Sequence, residues 1–414
     1  MGSPFDFIIA GGGAAGLSLA CHLINSPLRD CSILIVDKDD DDQINRNWGF
    51  WTNQPTLFDA TVSRAWRQLH VVGEGFERTF DLEDYQYKLI RGADFYRYAL
   101  DTLRARSNAD PVRVTFARGV VERVEDAAGA NDEARVVVNG REYHGRWVFD
   151  SIMRAGALKR QSGPYRFLKM HFKGWEIETS DDVFNPNAAT LFDFRTPAGR
   201  PSEVRAMRFF YVMPFTSRRA LVEYVLFSPD VLRQDHYERA LREHIESVRG
   251  IQDYQIVFEE NGCVPITDYP FARRTGRRIM AIGAKGGQLK PSTGYSFMRV
   301  QQDSAAIVQS LLKCGHPFDV SHGARLFRLG DSVLLDIMLR RGDEIKPIFT
   351  AMFAKNPIIH RVFRFLDETA SPLDVMGMVA SLPPWQFVYS LGRVGAQAAR
   401  TRTARAQAMP AALM

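Results

Sequence analysis

The chain has 414 residues, 45% of them apolar and 24% charged, with a formal net charge of +5. That length exceeds what one simple core organises and suits two closely packed domains, and the composition is that of an ordinary globular protein. No apolar run reaches the ~18 residues that a membrane-spanning helix needs, and no basic patch with interleaved aromatics points to nucleic acid. Cys21, Cys31, Cys263 and Cys314 never form a CxxC pair, which speaks against a metal centre and for a reducing, cytoplasmic compartment.

The opening MGSPFDFIIAGGG lacks the basic stretch and cleavage site of a signal peptide. Phe5 to Ala10 reads as a buried strand running into glycines, Leu17 to Leu23 as a buried helix, and Ser32 to Val36 as a second strand ending on Asp37. Strand, helix and strand in that order begin a parallel sheet. The acidic run Asp39 to Asp42 reads as a solvated turn. Residues 111–150 alternate like antiparallel strands, and WVFD (147–150) reads as a further buried strand. From 160 to 261 the chain is rich in aromatics and strand-patterned pieces, such as Met207 to Met213 and Ala220 to Phe227, and predicts a second sheet inserted into the first domain. RIMAIG (278–283) returns to a buried strand, and residues 292–313 predict a helix with Phe297, Val300, Ile307 and Leu311 on one face. Beyond Cys314 the pattern is helical. The segment FTAMFAKNPIIHRVFRF (349–365) has apolar and basic residues at helical spacing, either as a core helix or as one lying in a membrane interface. The end of the chain carries Arg393, Arg400, Arg402 and Arg405 without an acid. It reads either as a frayed basic tail or as a segment drawn to anionic lipid.

The run Gly11-Gly12-Gly13-Ala14-Ala15-Gly16 fits GxGxxG in its proper setting. It follows a strand, opens a helix and precedes an acid, Asp37, about 20 residues further on. Gly11 suits the tight turn, Gly13 lets backbone approach a pyrophosphate, and Gly16 allows close packing of helix on strand. The free N–H groups at the helix start, from Ala14 onward, and their partial positive charge attract phosphate. Asp37 would accept hydrogen bonds from ribose hydroxyls. A second segment, IMAIGAKGGQLKPSTGYSFMRVQQDS (279–304), is similar to the flavin clasp of FAD hydroxylases. Gly283 ends the strand, Pro291 suits a first helical turn, and Gly294 admits backbone close to the flavin. Those enzymes carry Gly-Asp where this chain has Gly283-Ala284. Arg91, in YKLIRGADFY, is a candidate cofactor contact or a surface ion pair.

Several further segments occur together: YVMPFTSRRALVEYVLFS (211–228), GCVPITDYPF (262–271), NRNWGFW (45–51), FDFR (192–195) and RFLDE (364–368). With the 279–304 segment, they make the chain resemble the lycopene β-cyclase family over nearly its whole length. The resemblance implies an α/β protein. A Rossmann-like FAD-binding domain of the glutathione-reductase and hydroxylase type would span 1–159 and 262–313. An inserted substrate-binding sheet would occupy 160–261, a helical region 314–392 and a basic tail 393–414. It further implies redox-neutral, acid-initiated closure of the ψ-ends of lycopene or a related acyclic carotene to β-ionone rings. Reduced FAD is the expected cofactor, NAD(P)H its reductant, and peripheral contact with membrane lipid follows from the substrate. No metal is expected.

Protonating an alkene needs an acid that keeps its proton at neutral pH, which burial in an apolar setting provides. Glu223, in the apolar run ALVEYVLF, shares one strand face with Leu221 and Val225 and suits that role; a half-exposed strand pointing it to solvent is the alternative. The family's second acid is replaced here by Tyr224. Trp48, Phe50 and Trp51 can steady a cation or simply pack. His171 is a possible relay or a core histidine. A flavin monooxygenase or prenyl-chain reductase of the same fold, and a non-catalytic carotenoid carrier, are the competing readings.

Overall fold

The computed structural model of the protein describes residues 3–38, 47–107, 112–127, 133–153, 156, 158, 163–196, 206–321 and 325–408; the acidic run Asp39 to Asp42 lies outside them. The strands are β1 (Phe5–Ala10), β2 (Cys31–Asp37), β3 (Asn47–Thr52), β4 (Val62–Trp66), β5 (Gln68–Gly73), β6 (Phe76–Asp81), β7 (Gln86–Arg91), β8 (Val112–Arg118) and β9 (Val121–Asp126). They continue as β10 (Ala134–Val138), β11 (Arg141–Asp150), β12 (Phe167–Thr179), β13 (Ala188–Asp193), β14 (Met207–Pro214), β15 (Arg219–Ser228), β16 (Tyr254–Thr267) and β17 (Ile279–Ala281).

The first sheet runs β8-β2-β1-β11-β10-β9, with β17 also paired to β11. Strands β1, β2, β8 and β17 join it in parallel, while β9, β10 and β11 form an antiparallel meander. Both faces of the parallel part are covered, which is why β1 and β2 read as unbroken apolar runs rather than alternating ones. Helices α1 (Ala14–Ile24), α2 (Gly92–Ser107) and, after α3 (Gln234–Glu243), α4 (Phe297–Cys314) cover one face. There Ile9, Ile33 and Phe149 pack with Leu17, Phe95 and Ile307. On the other face Ile8, Leu34 and Val148 pack with Val136 and Val138 of the meander.

The second sheet runs β16-β12-β15-β14-β13-β5-β6. Its period-two alternation separates two cores. Phe209, Leu221, Val225 and Phe227 meet the C-terminal helices on one face, while Phe210, Val222, Tyr224 and Leu226 meet α3 on the other. Those C-terminal helices are α5 (Arg325–Arg341), α6 (Ile345–Lys355), α7 (Ile359–Leu366), α8 (Pro372–Ser381) and α9 (Pro384–Ala408). A small third sheet, β3-β7-β4, lies in the chain between β2 and α2.

The boundaries between segments differ from expectation. Strands β5 and β6, from within 1–159, complete the second sheet because β5 pairs in parallel with β13 more than a hundred residues away, and β16 runs through the expected boundary at 261/262. Helix α9 likewise runs through 392/393, so the basic segment begins inside a helix that extends to Ala408. Finally, 349–365 is a core element: Phe349, Met352, Phe353, Ile359, Val362 and Phe363 are all buried against the second sheet.

Candidate active site

The glycine fingerprint folds as its spacing demands. Gly11 adopts φ +105°, and a Cβ there would lie 2.2 Å from the Ser151 hydroxyl. A Cβ on Gly16 would lie 2.0 Å from the Gly11 carbonyl oxygen, so only glycine lets α1 sit this close to β1. Gly13 is different: nothing lies within 4 Å of its missing Cβ. It caps α1 without a side-chain hydrogen bond, and no acid occupies the first turn. Ala14 opens that helix. Open space above a helix N-terminus with uncapped amides fits a pyrophosphate. Asp37 ends β2, and its carboxylate accepts hydrogen bonds from the Gly12 and Lys38 amides. Gly283, at φ +59°, brings the end of β17 against the same helix, 2.6 Å from Ala15 Cβ to where its own Cβ would be. Gly11, Gly13, Ala14, Gly16, Asp37 and Gly283 therefore converge.

Three further expected cofactor residues have contacts of their own. Arg91 is the last residue of β7, not part of a helix, and its guanidinium donates to Glu176 at 3.0 Å while lying 5.0 Å from the centre of the Phe215 ring. Pro291 begins a turn in which the Lys290 carbonyl accepts from Gly294 N at 2.9 Å; α4 starts only at Phe297. Proline's fixed φ serves the second position of a turn as well as a helix start, and local sequence does not separate the two. Gly294, at φ +77°, packs on the second sheet, since a Cβ there would lie 2.5 Å from the Met170 sulfur.

The aromatic trio also divides. Trp48 packs into the first core, 5.3 Å from the Phe95 ring. Phe50 stacks on Phe297 at 4.6 Å, and Trp51 lies between Tyr295 at 4.6 Å and Phe363 at 4.8 Å. Phe50 and Trp51 line a small cavity of about 30 Å³ together with Lys290, Tyr295, Phe297, Leu366 and Asp367. The Trp51 indole N–H donates to Asp367 at 2.8 Å. Burial pushes the Asp367 carboxyl up to about 6, against the pull of that hydrogen bond and of Lys290 and Arg299. Glu368 beside it resists the same burial effect, because Lys290 at 2.8 Å and Arg299 at 2.7 Å hold it below the usual range.

Glu223 is buried, 8% exposed, on the face of β15 that meets the C-terminal helices. Tyr211 of β14 stands directly opposite it, and Gly174 of β12 stands opposite on the other side. Beyond Gly174 in the same cross-strand row comes Glu260 of β16, 3% exposed. Gly174 leaves no side chain between the two acids; a Cβ there would lie 3.1 Å from Glu260 Cγ. Burial first, and then the proximity of Glu260, raises the Glu223 carboxyl well above its ordinary range. Glu260 is pushed up to about 7 by burial and by nearby Glu176, while Arg91 and a 2.7 Å hydrogen bond from Asn47 pull it down. Tyr295 joins this row to the cavity: its hydroxyl lies 3.1 Å from that of Tyr211 and also bonds to Tyr87. Burial raises all three phenols well above 10, so they stay neutral.

Tyr224 points to the opposite face of β15, stacked on Phe210 at 4.7 Å. It cannot stand in for a second acid beside Glu223. His171 also belongs to that other face, held between Ser228 Oγ at 2.7 Å and the Tyr237 hydroxyl at 2.5 Å, and burial lowers it to about 4. It is a core histidine. Asp268 accepts from the Arg166 guanidinium at 2.9 Å and is structural. Glu260 carried no local mark; Asn47, Tyr87 and Tyr295 lie in segments singled out by sequence, yet their own part in the site emerges only when distant segments come together.

The profile of the family described as "Lycopene cyclase protein" matches residues 6–391. The chain is 24% identical over 322 residues to the chloroplastic neoxanthin synthase of Solanum tuberosum, covering 75% of this chain and 61% of that protein. It is 23% identical over 330 residues to the chloroplastic lycopene beta cyclase of an Oncidium hybrid cultivar, covering 74% and 64%. The chain thus spans somewhat over three-fifths of the length of these curated relatives. Among solved structures, a geranylgeranyl bacteriochlorophyll reductase-like protein from Thermoplasma acidophilum shares the fold, with a TM-score of 0.57 at 12% identity over 93% of this chain and 98% of that one. A flavoprotein/dehydrogenase from Cytophaga hutchinsonii does so at 0.56 and 14% identity, over 88% and 92%. A profile match from the first strand to the last helix, over a fold shared with flavoproteins, places this chain in the lycopene cyclase family.

Proposed function

We propose that the protein closes the ψ-ends of lycopene or a related acyclic carotene into β-ionone rings. The observation that carries this reading is the buried pair of carboxyls, Glu223 and Glu260, facing one another across Gly174 beside a row of neutral tyrosines. Two carboxyls sharing a poorly solvated site do not both ionise near neutrality. Asn47 and Arg91 favour the charged form of Glu260, so Glu223 is the acid. It donates to the terminal double bond of the carotene, and the neighbouring double bond attacks the resulting cation to close the ring. A ring proton then leaves to a base, and no electrons are gained or lost. Tyr295, Trp51 and Phe50 line the cavity, and aromatic rings favour a passing positive charge.

The fingerprint residues, with the open space at Gly13, fit FAD. When bound and reduced by NAD(P)H, that cofactor would supply electrostatic stabilisation of a developing cation. The carotene dissolves in lipid, so the enzyme works as a peripheral protein at a membrane surface, on the cytoplasmic side. Among the described residues no helix is long and apolar enough to cross a membrane.

The test is Glu223→Gln, expressed beside the parent in a host that accumulates lycopene, with pigments separated by chromatography and weighed by mass spectrometry. The parent yields cyclic carotenes of unchanged mass, and the variant loses ~10²–10⁴ in rate, as loss of a general acid does, while its flavin absorbance stays normal. Cyclisation by Glu223→Gln at the parent rate would remove Glu223 from the mechanism. A product of altered mass from the parent would move the protein to the reductases or oxygenases.

A further inference from the structure

Helices α8 and α9 expose apolar side chains where a water-facing helix ordinarily carries charge. Helix α8 starts cleanly: Pro372 occupies its first turn and the Ser371 hydroxyl accepts from the Asp374 amide at 3.1 Å. Val375 and Met378 bury its inner side. Its outer side presents Leu373, 80% exposed, with Met376 and Val379, and Asp374 is its one charged residue. Helix α9 repeats the arrangement. Ser390 and Val394 are buried, and Arg393 fastens the helix to α5 through Asp336 at 2.6 Å. The opposite side carries Trp385, 71% exposed, with Val388 and Tyr389 one turn on. Isolated exposed apolar residues are ordinary, but large ones concentrated on two consecutive helices mark a contact surface.

Charge selects the occupant. From Val375 to Met414 the chain contains no Asp or Glu, and it holds Arg393, Arg400, Arg402 and Arg405. A second copy seated here by two-fold symmetry would bring cationic helices against each other. An anionic lipid headgroup layer complements the charge, and exposed Trp and Tyr are the residues that settle at its boundary with the acyl chains.

We infer that the outward face of α8 and α9 is the surface on which this protein docks to an anionic bilayer. The proposed substrate class enters only as the reason for docking; the surface itself stands on exposure and charge.

Flotation of the full-length, FAD-loaded protein tests this, using phosphatidylcholine vesicles with and without phosphatidylglycerol. The parent floats with the anionic vesicles and is partly released by high salt. The variant L373Q/M376Q/W385Q loses ~10-fold or more in apparent affinity, with melting temperature and flavin absorbance unchanged because these side chains face outward. R400E/R402E/R405E loses the preference for phosphatidylglycerol. Equal flotation of the parent and L373Q/M376Q/W385Q overturns the inference. So does a parent that fails to float and instead forms a dimer dissolved by W385Q. Flotation is read without turnover, so a protein that docks yet leaves carotene unchanged defeats the catalytic reading and leaves the docking surface standing.

Discussion

Glu223 and Glu260 each titrate above the usual carboxylate range because burial penalises charge and another acid lies close. A carboxyl with a raised folded pKa holds its proton more tightly folded than unfolded. Its stabilising contribution is complete below the unfolded value, near 4.5, and for Glu260 is lost as pH rises through about 7. Glu260→Gln removes that titration while keeping an acceptor for the Asn47 amide. Unfolding free energy of the parent should therefore fall relative to Glu260→Gln between roughly pH 5 and 8, by about 2–3 kcal/mol. The same replacement removes one cause of the raised Glu223 pKa, so the alkaline decline of activity should begin at lower pH. Parallel profiles in both urea unfolding and turnover would show that the two carboxyls do not sense each other. Alternation in ALVEYVLF made the face of Glu223 readable, and it also assigns Tyr224 to the opposite side. Glu260 was hidden, because nothing local in VFEENG distinguishes a buried acid from a solvated one; its setting comes from β12 lying between two strands.

The fingerprint element separates folding from binding. A side chain on Gly16 strikes the Gly11 carbonyl and damages the fold with or without cofactor, whereas a side chain on Gly13 enters open space. Gly13→Val should thus fold with a melting temperature close to that of the cofactor-free parent, yet lose flavin absorbance after purification. Retained flavin would mean that the pyrophosphate lies elsewhere. This element was legible because strand, tight turn, helix and acid lie within the first 37 residues and depend on local periodicity. The 279–304 segment was only half legible. Gly283 packs on α1 beside the fingerprint, whereas Pro291 and Gly294 form a turn ahead of Tyr295 in which Gly294 packs on Met170 of β12. Of the two readings of 349–365 the core helix holds: the second sheet claims its apolar residues, and the uncovered ones belong to α8 and α9.

At the scale of the molecule, the inserted-domain picture captures the two sheets but not how the chain divides between them. The polypeptide lays down β1 and β2 in the first sheet, then β5 and β6 in the second, returns for β8 to β11, leaves for β12 to β16, returns for β17, and ends in helices that cover the second sheet. Residues 160–261 alone lack β5, β6, half of β16 and the helical cover of one face. Expressed as a fragment, they should remain unfolded, read as random-coil circular dichroism and rapid proteolysis; a cooperatively melting fragment would contradict this. For protein engineering, substrate preference is therefore not a cassette. A chimera that borrows 160–261 from a relative inherits half a sheet with foreign edges. A working exchange has to extend to 267 and carry 68–81 and 325–408 along with it, three separate stretches moved as one heritable unit.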